Sequence, residues 1–313
     1  MNNVSILLPL GSSDAASLAP FADLVRKTTA TRLWQGQALG IETHQAFAYL
    51  AGQGYRIPTG TCVTLIGLRH PFEAALQSRS LAAVTGHDMV YGVGTGAAEF
   101  VRSVRRRSYA SPLAAIEEYV EIVRALLAGE QVDRAGLYHE MHGALTPLDH
   151  PPVALGLGVL RPGMARLAGE IADVAITWMT PVPYLRDVLL PALRGGGRAP
   201  RVVSVVHAAT AAPGRDPHQV VLNATHEHLS APHYTAMLRL AGLKVHHTQP
   251  SVGSRVLLRS GTFLYGSPAE IAEGIRAYHR AGVDEVVVNT AGVALTDGLP
   301  AAEADLFAIL ENC

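Results

Sequence analysis

The chain has 313 residues, 49% hydrophobic and 16% charged, with 25 Lys and Arg against 26 Asp and Glu. That length suits one α/β barrel of roughly 250 residues with insertions, a core that needs no disulfide staples; the two cysteines, Cys62 and Cys313, form neither a disulfide framework nor a zinc spacing and fit a reducing cytoplasm. The even charge argues against nucleic-acid binding, and no apolar run approaches the roughly 20 residues that cross a membrane.

Val4–Leu10 reads as a first buried strand; no basic region precedes it, so it is not read as a leader. Ser17–Thr29 has helical spacing, Thr31–Trp34 is a short second strand, and the polar loop Gln35-Gly36-Gln37 follows. Glu42–Gly52 is a helix, Thr59–Leu68 a β-branched third strand, and His70–Val84 a helix with Pro71 in its first turn. Met89–Val93 is the fourth strand. In the helix Pro112–Ala128, Leu113, Ile116, Val120, Val123 and Leu127 recur at three- and four-residue steps, and Gly129 closes it. Val153–Leu157, Val174–Trp178, Val202–His207 and Glu285–Val288 continue as strands five to eight. Helices are expected over Gly163–Ala172, Pro183–Leu193, Pro217–Leu240, Pro268–Ala281 and Ala301–Leu310. Leu243–Gly266 has little periodicity and is expected to be an insertion near strands seven and eight, packed over the site.

Eight alternations of strand and helix imply parallel strands with helical crossovers. We expect residues 1–313 to form a single (β/α)8 TIM barrel domain, with function at the C-terminal ends of the strands. Two of those ends carry closely spaced glycines: Gly94, Thr95 and Gly96, and Gly156, Leu157 and Gly158, the second leading into a helix. Glycine lets backbone N–H groups approach an anion, and a helix N-terminus adds partial positive charge. Two such corners predict a pocket for a phosphorylated cofactor. Gly92-Val93-Gly94-Thr95-Gly96 lacks the G-x-G-x-x-G spacing, so it is no dinucleotide fingerprint.

Gly60-Thr61-Cys62-Val63, Arg69-His70-Pro71, Tyr91–Gly96, Glu118–Gly129, Met164–Asp173 and Ala281–Val286 occur in one order. As an ordered set they resemble the bacterial luciferase-like family of flavin- or deazaflavin-dependent oxidoreductases. The resemblance implies a TIM barrel that holds coenzyme F420 or FMN at its strand ends, and a homodimer. It places the cofactor at Cys62, Val63, Gly94, Thr95, Gly96, Gly156, Leu157, Gly158 and Met164, with a cis peptide at Cys62–Val63. The chain also departs from the family. Relatives often carry His or an acid after strand two, where Gln35 and Gln37 stand; sugar-phosphate dehydrogenases of the family carry Glu directly after Gly-Thr-Gly, where Ala97 stands.

Competing readings attach to the remaining candidates. Arg102, Arg105, Arg106 and Arg107 form either a solvated face or a clamp for the acidic tail of F420 or an acidic substrate. His70 reads as a helix-entry cap. Trp178 and His207 end strands at the expected mouth and, with Gln35 and Gln37, are substrate candidates or core residues. His226-Glu227-His228 and His246-His247 lack the helical spacing of a zinc site, so no metal is expected. Cys62 has no evident base and reads as a small buried residue. The function expected is hydride transfer from reduced F420 to an activated C=C or C=N bond, for example dehydroalanine in a modified natural-product peptide. The alternatives are an FMN-dependent monooxygenase and a non-catalytic luciferase-like subunit.

Overall fold

The computed structural model describes residues 3–9 and 14–313. Leu10, the last residue of the expected first strand, lies outside them. Eight strands, β1 Asn3–Leu7, β2 Leu33–Gln35, β3 Thr59–Thr61, β4 Met89–Gly94, β5 Val153–Gly158, β6 Val174–Trp178, β7 Arg201–Thr210 and β8 Glu285–Asn289, pair in parallel in chain order. β8 pairs with β1 through Val4 and Val286, so the sheet closes. A closed ring leaves no unpaired edge, and the crossover helices bury its outer face. This is the expected TIM barrel.

Its lower interior is polar as well as apolar. Trp34 Nε1 and Ser5 Oγ both donate to Glu285 Oε1, at 2.7 and 2.6 Å, so the buried carboxylate is satisfied. Gly60 makes room for the Trp34 ring: a Cβ there would lie 2.5 Å from Trp34 Cε3.

Several boundaries differ from the sequence reading, each for a local reason. The expected strand Thr59–Leu68 is interrupted after Thr61. Cys62–Val63 is a cis peptide, and the chain resumes pairing with β4 at Thr64–Leu65. From Gly60 to Thr64 it advances four residues while β4 advances three, from Val90 to Val93, which is the two-against-one count of a bulge. The expected helix Pro217–Leu240 is two helices, Pro217–Ser230 and Pro232–Leu240, because Pro232 has no N–H to continue the ladder. Leu243–Gly266 contains a helix, Pro250–Arg259, and a strand, Leu264–Gly266, that pairs with the end of β7. The buried face of that helix is Gly253, Ser254 and Leu257, so small residues conceal its periodicity.

Three elements have no counterpart in the sequence reading: the helices Ala98–Arg105 and Ala291–Asp297, and a hairpin of Val132–Ala135 with Glu140–Gly143. Among the described residues no helix is long and apolar enough to cross a membrane.

Candidate active site

A cavity of about 410 Å³ opens at the C-terminal ends of the strands. Gly36 and Gln37 reach it after β2; Cys62, Val63 and Leu65 after β3; Gly94 to Ala97 and Phe100 after β4; Gly158 to Leu160 after β5; Ile176 and Trp178 from β6. The last wall comes from the excursion between β7 and β8, where His228, His233 and Tyr234 flank the break at Pro232.

Inward glycines on two adjacent strands make the space. Gly92 and Gly156 are register partners, and Ile176 fills the notch between them: Cβ atoms there would lie 2.4 and 2.8 Å from Ile176 Cδ1. One step higher, Gly94 and Gly158 accept Val63. A Cβ on Gly94 would lie 2.8 Å from Val63 Cγ2, and one on Gly158 3.3 Å from Val63 Cγ1. The bulge after β3 is therefore seated on both glycine corners. Gly96 has φ of 78°, a left-handed conformation natural to glycine, and turns the chain into the helix Ala98–Arg105. The N-cap of that helix is Ala97, which has no capping side chain. The first N–H groups of a helix lack intrahelical partners, and here they begin at the cavity wall.

The aromatic wall is tightly organised. Trp178 stacks on His228 at 5.3 Å, and Tyr234 meets His228 edge-on at 4.8 Å. His207 sits behind them, 5.8 Å from both Trp178 and His228, and stacks on Phe263 at 6.0 Å. Burial, then the neighbouring His228, pushes the His207 imidazole down to about 3; burial, then His233, pushes His228 down to about 4. Both rings are neutral near neutral pH. Burial, reinforced by Glu285, raises the Cys62 thiol well above its usual range, so it is no thiolate nucleophile.

Cys62, Val63, Gly94, Thr95, Gly96, Gly158, Gln37 and Trp178, all candidates from sequence, line the cavity. Gly156 and Leu157 do not: one serves the packing of β4 against β6, and the other is fully buried. Met164 packs against the core and is not among the lining residues. Gln35 is buried with Oε1 unpartnered, and His207 lies one layer behind the wall. Gln37 accepts weakly from Arg69, at 3.4 Å, and Arg69 pairs with Glu42.

Arg102 and Arg106 are exposed and do not line this cavity, whereas Arg105 borders a separate cleft of about 330 Å³ with Arg69, His70, His139 and Glu140. His70 caps its helix, its Nδ1 accepting from Phe72 N at 3.2 Å. Sequence reasoning did not connect His228, His233 and Tyr234 to the cavity. The available signal was Pro232, which turns the chain back at that point.

An F420-dependent glucose-6-phosphate dehydrogenase of Nakamurella multipartita is 35% identical over 147 residues, 45% of this chain and 43% of that protein. A phthiodiolone/phenolphthiodiolone dimycocerosates ketoreductase of Mycobacterium kansasii is 27% identical over 180 residues, 55% of this chain and 45% of that one. The matched regions thus span less than half of these relatives. Among solved structures, an F420-dependent secondary alcohol dehydrogenase holding an F420-acetone adduct superposes with a TM-score of 0.75 at 16% identity, covering 99% of both chains. The oxygenating constituent of 3,6-diketocamphane monooxygenase from Pseudomonas putida, with FMN, gives 0.69 at 16% identity over 99% of this chain and 97% of that one. These likenesses establish the shared fold. The family of luciferase-like monooxygenases matches residues 7–285, nearly the whole barrel, and this chain belongs to it.

Proposed function

We propose that this protein is a coenzyme F420-dependent oxidoreductase that reduces an activated C=C or C=N bond. The observation that carries the reading is the corner after β4. Gly96 in a left-handed turn and the uncapped N-terminus of Ala98–Arg105 present backbone N–H groups and a helix dipole at the cavity wall. That donor set fits a phosphate, which needs no side-chain cation when several N–H groups converge on it. Thr95, Gly96 and Ala97 would hold the phosphate, and the Val63 bulge would support the ring. When bound, the reduced deazaflavin supplies a hydride and reacts poorly with oxygen.

F420 is favoured over FMN by the sequence identity to an F420-dependent relative and by the separate cleft holding Arg69 and Arg105, which suits an acidic tail. Arg69 is engaged by Glu42, so Arg105 is the cation left for that role. An unsaturated substrate is favoured because Ala97 and Gln35 offer no proton donor of the sugar-dehydrogenase kind, while an activated alkene asks less of side-chain acids and bases. Dehydroalanine in a natural-product peptide is one such alkene. The FMN-dependent monooxygenase reading rests on the FMN-bound structure with the same fold. A non-catalytic barrel is disfavoured, since it has no use for an open glycine corner.

The test is anaerobic mixing of protein with reduced F420 and a panel of enones, dehydroamino acids and imines, followed by cofactor absorbance. Reoxidation that requires both protein and unsaturated substrate is expected. No protein-dependent reoxidation of reduced F420, with oxygenated product formed in a parallel aerobic run with reduced FMN, would overturn the F420 reading.

A further inference from the structure

Reduction of an activated alkene adds a hydride to its β-carbon and a proton to its α-carbon. The C=C π bond breaks, two C–H bonds form, and the alkene is reduced as the cofactor is oxidised. The hydride arrives with reduced F420, but the proton needs a donor within reach of the substrate. Among the described residues no Asp, Glu, Lys or Arg lines the cavity, and its titratable side chains are Cys62, His228, His233 and Tyr234.

Three of these are poor donors. Burial raises the Cys62 thiol and the Tyr234 phenol, so both keep their protons. His228 is held against Trp178 and Tyr234 with its Nδ1 enclosed, and at about 4 it carries no extra proton near neutral pH.

His233 differs. It is half-buried, in the first turn of the helix Pro232–Leu240. Among the described residues neither ring nitrogen has a hydrogen-bond partner, and neither is enclosed as Trp178 Nε1 and both His207 nitrogens are. The charges that act on it come from the other walls of the cavity. Glu99 lies in the first turn of Ala98–Arg105, after β4, and Arg161 directly follows the lining residues Gly158 to Leu160. The ring thus faces both glycine corners from the excursion between β7 and β8. Burial, then Arg161, lowers its pKa, and Glu99 opposes them; His228 and Tyr234 are its titratable neighbours on its own side. A lowered value makes the protonated ring a readier donor.

We propose that His233 is the acid of the reaction: its protonated imidazole gives the proton to the α-carbon as the β-carbon takes the hydride. Oxidation of the reduced cofactor releases one proton to solvent, and solvent returns one to the ring, so the exchange balances. This rests on the oxidoreductase reading above and adds the residue that completes it.

The experiment follows anaerobic reoxidation of reduced F420 by cyclohexenone and by methyl 2-acetamidoacrylate, the faster of the two serving for a series between about pH 5 and about pH 8. The wild-type kcat/KM is expected to fall as pH rises, because only protonated His233 donates. His233→Asn, which stays polar but cannot titrate, is expected to lose about a hundredfold in kcat at about pH 5.5 and to lose the pH dependence, with F420 affinity unchanged. A readout independent of turnover is the Cε1–H NMR resonance of His233, assigned by its absence in the variant. In protein saturated with oxidised F420, the saturated product of the chosen substrate is expected to shift it. The proposal is overturned by a flat wild-type profile, by an unchanged rate or pH profile in the variant, or by a resonance that stays in place. Loss of F420 affinity in the variant would put His233 at the cofactor and also overturn it. Failure of the wild-type protein to bind F420, or to turn over either substrate, would instead overturn the reading beneath it.

Discussion

His228 in the cavity wall and His207 behind it are buried and neutral, a state whose cost depends on pH. Their folded values, about 3 and about 4, lie below the roughly 6.5 of an exposed imidazole. Between those limits the unfolded chain binds protons that the folded chain excludes, so stability rises with pH across that window. It is fully present above about pH 6.5 and declines as pH falls towards 4. Thermal melts are expected to show a falling melting temperature between about pH 7 and about pH 5, with a flatter profile for His207→Phe. Identical profiles for wild type and variant would contradict the assignment. Neither histidine's burial was readable from sequence. The end of a strand marked His207 as near the mouth, but its place behind Trp178 depends on Phe263, some fifty residues away, and on the fold that joins them.

At the scale of elements, the strands were legible because parallel strands buried on both faces are continuous apolar runs, as in Val174–Trp178 and Glu285–Val288. The helices Pro112–Leu127 and Pro268–Arg280 were legible from their spacing and from the proline at their start. What escaped was packing through small residues. Pro250–Arg259 buries Gly253 against Leu229, where a Cβ would lie 3.0 Å from Cδ2, and an apolar pattern cannot report that.

The same principle governs the meeting of β3, β4 and β6. A Cβ on Gly92 would lie 2.0 Å from the Thr61 carbonyl oxygen, which is backbone and cannot swing aside. Gly92→Ala is expected to cost about 3 kcal/mol in urea unfolding, whereas Gly52→Ala, with nothing within 4 Å in the helix Thr43–Gly52, changes stability by less than about 1 kcal/mol. Equal stability of the two variants would refute this account of the strand contacts. The glycines were read from sequence as anion contacts. The structure adds that Gly92 and Gly156 serve Ile176, while Gly94 and Gly158 seat Val63.

For the whole molecule, the closed barrel brings chain segments as distant as Gly36 and Tyr234 to one cavity. The barrel strands and the glycine corner of the cavity were legible because their residues are local in sequence: Gly94 to Gly96, and Cys62 with Val63. The wall of His228, His233 and Tyr234 was not, because it is assembled by helices inserted between β7 and β8. The most direct test of the central claim is a fluorescence titration of the purified protein with F420 and, separately, with FMN. Tight, saturable F420 binding with weaker FMN binding is the predicted result. Tighter FMN binding, or binding of neither, would contradict it.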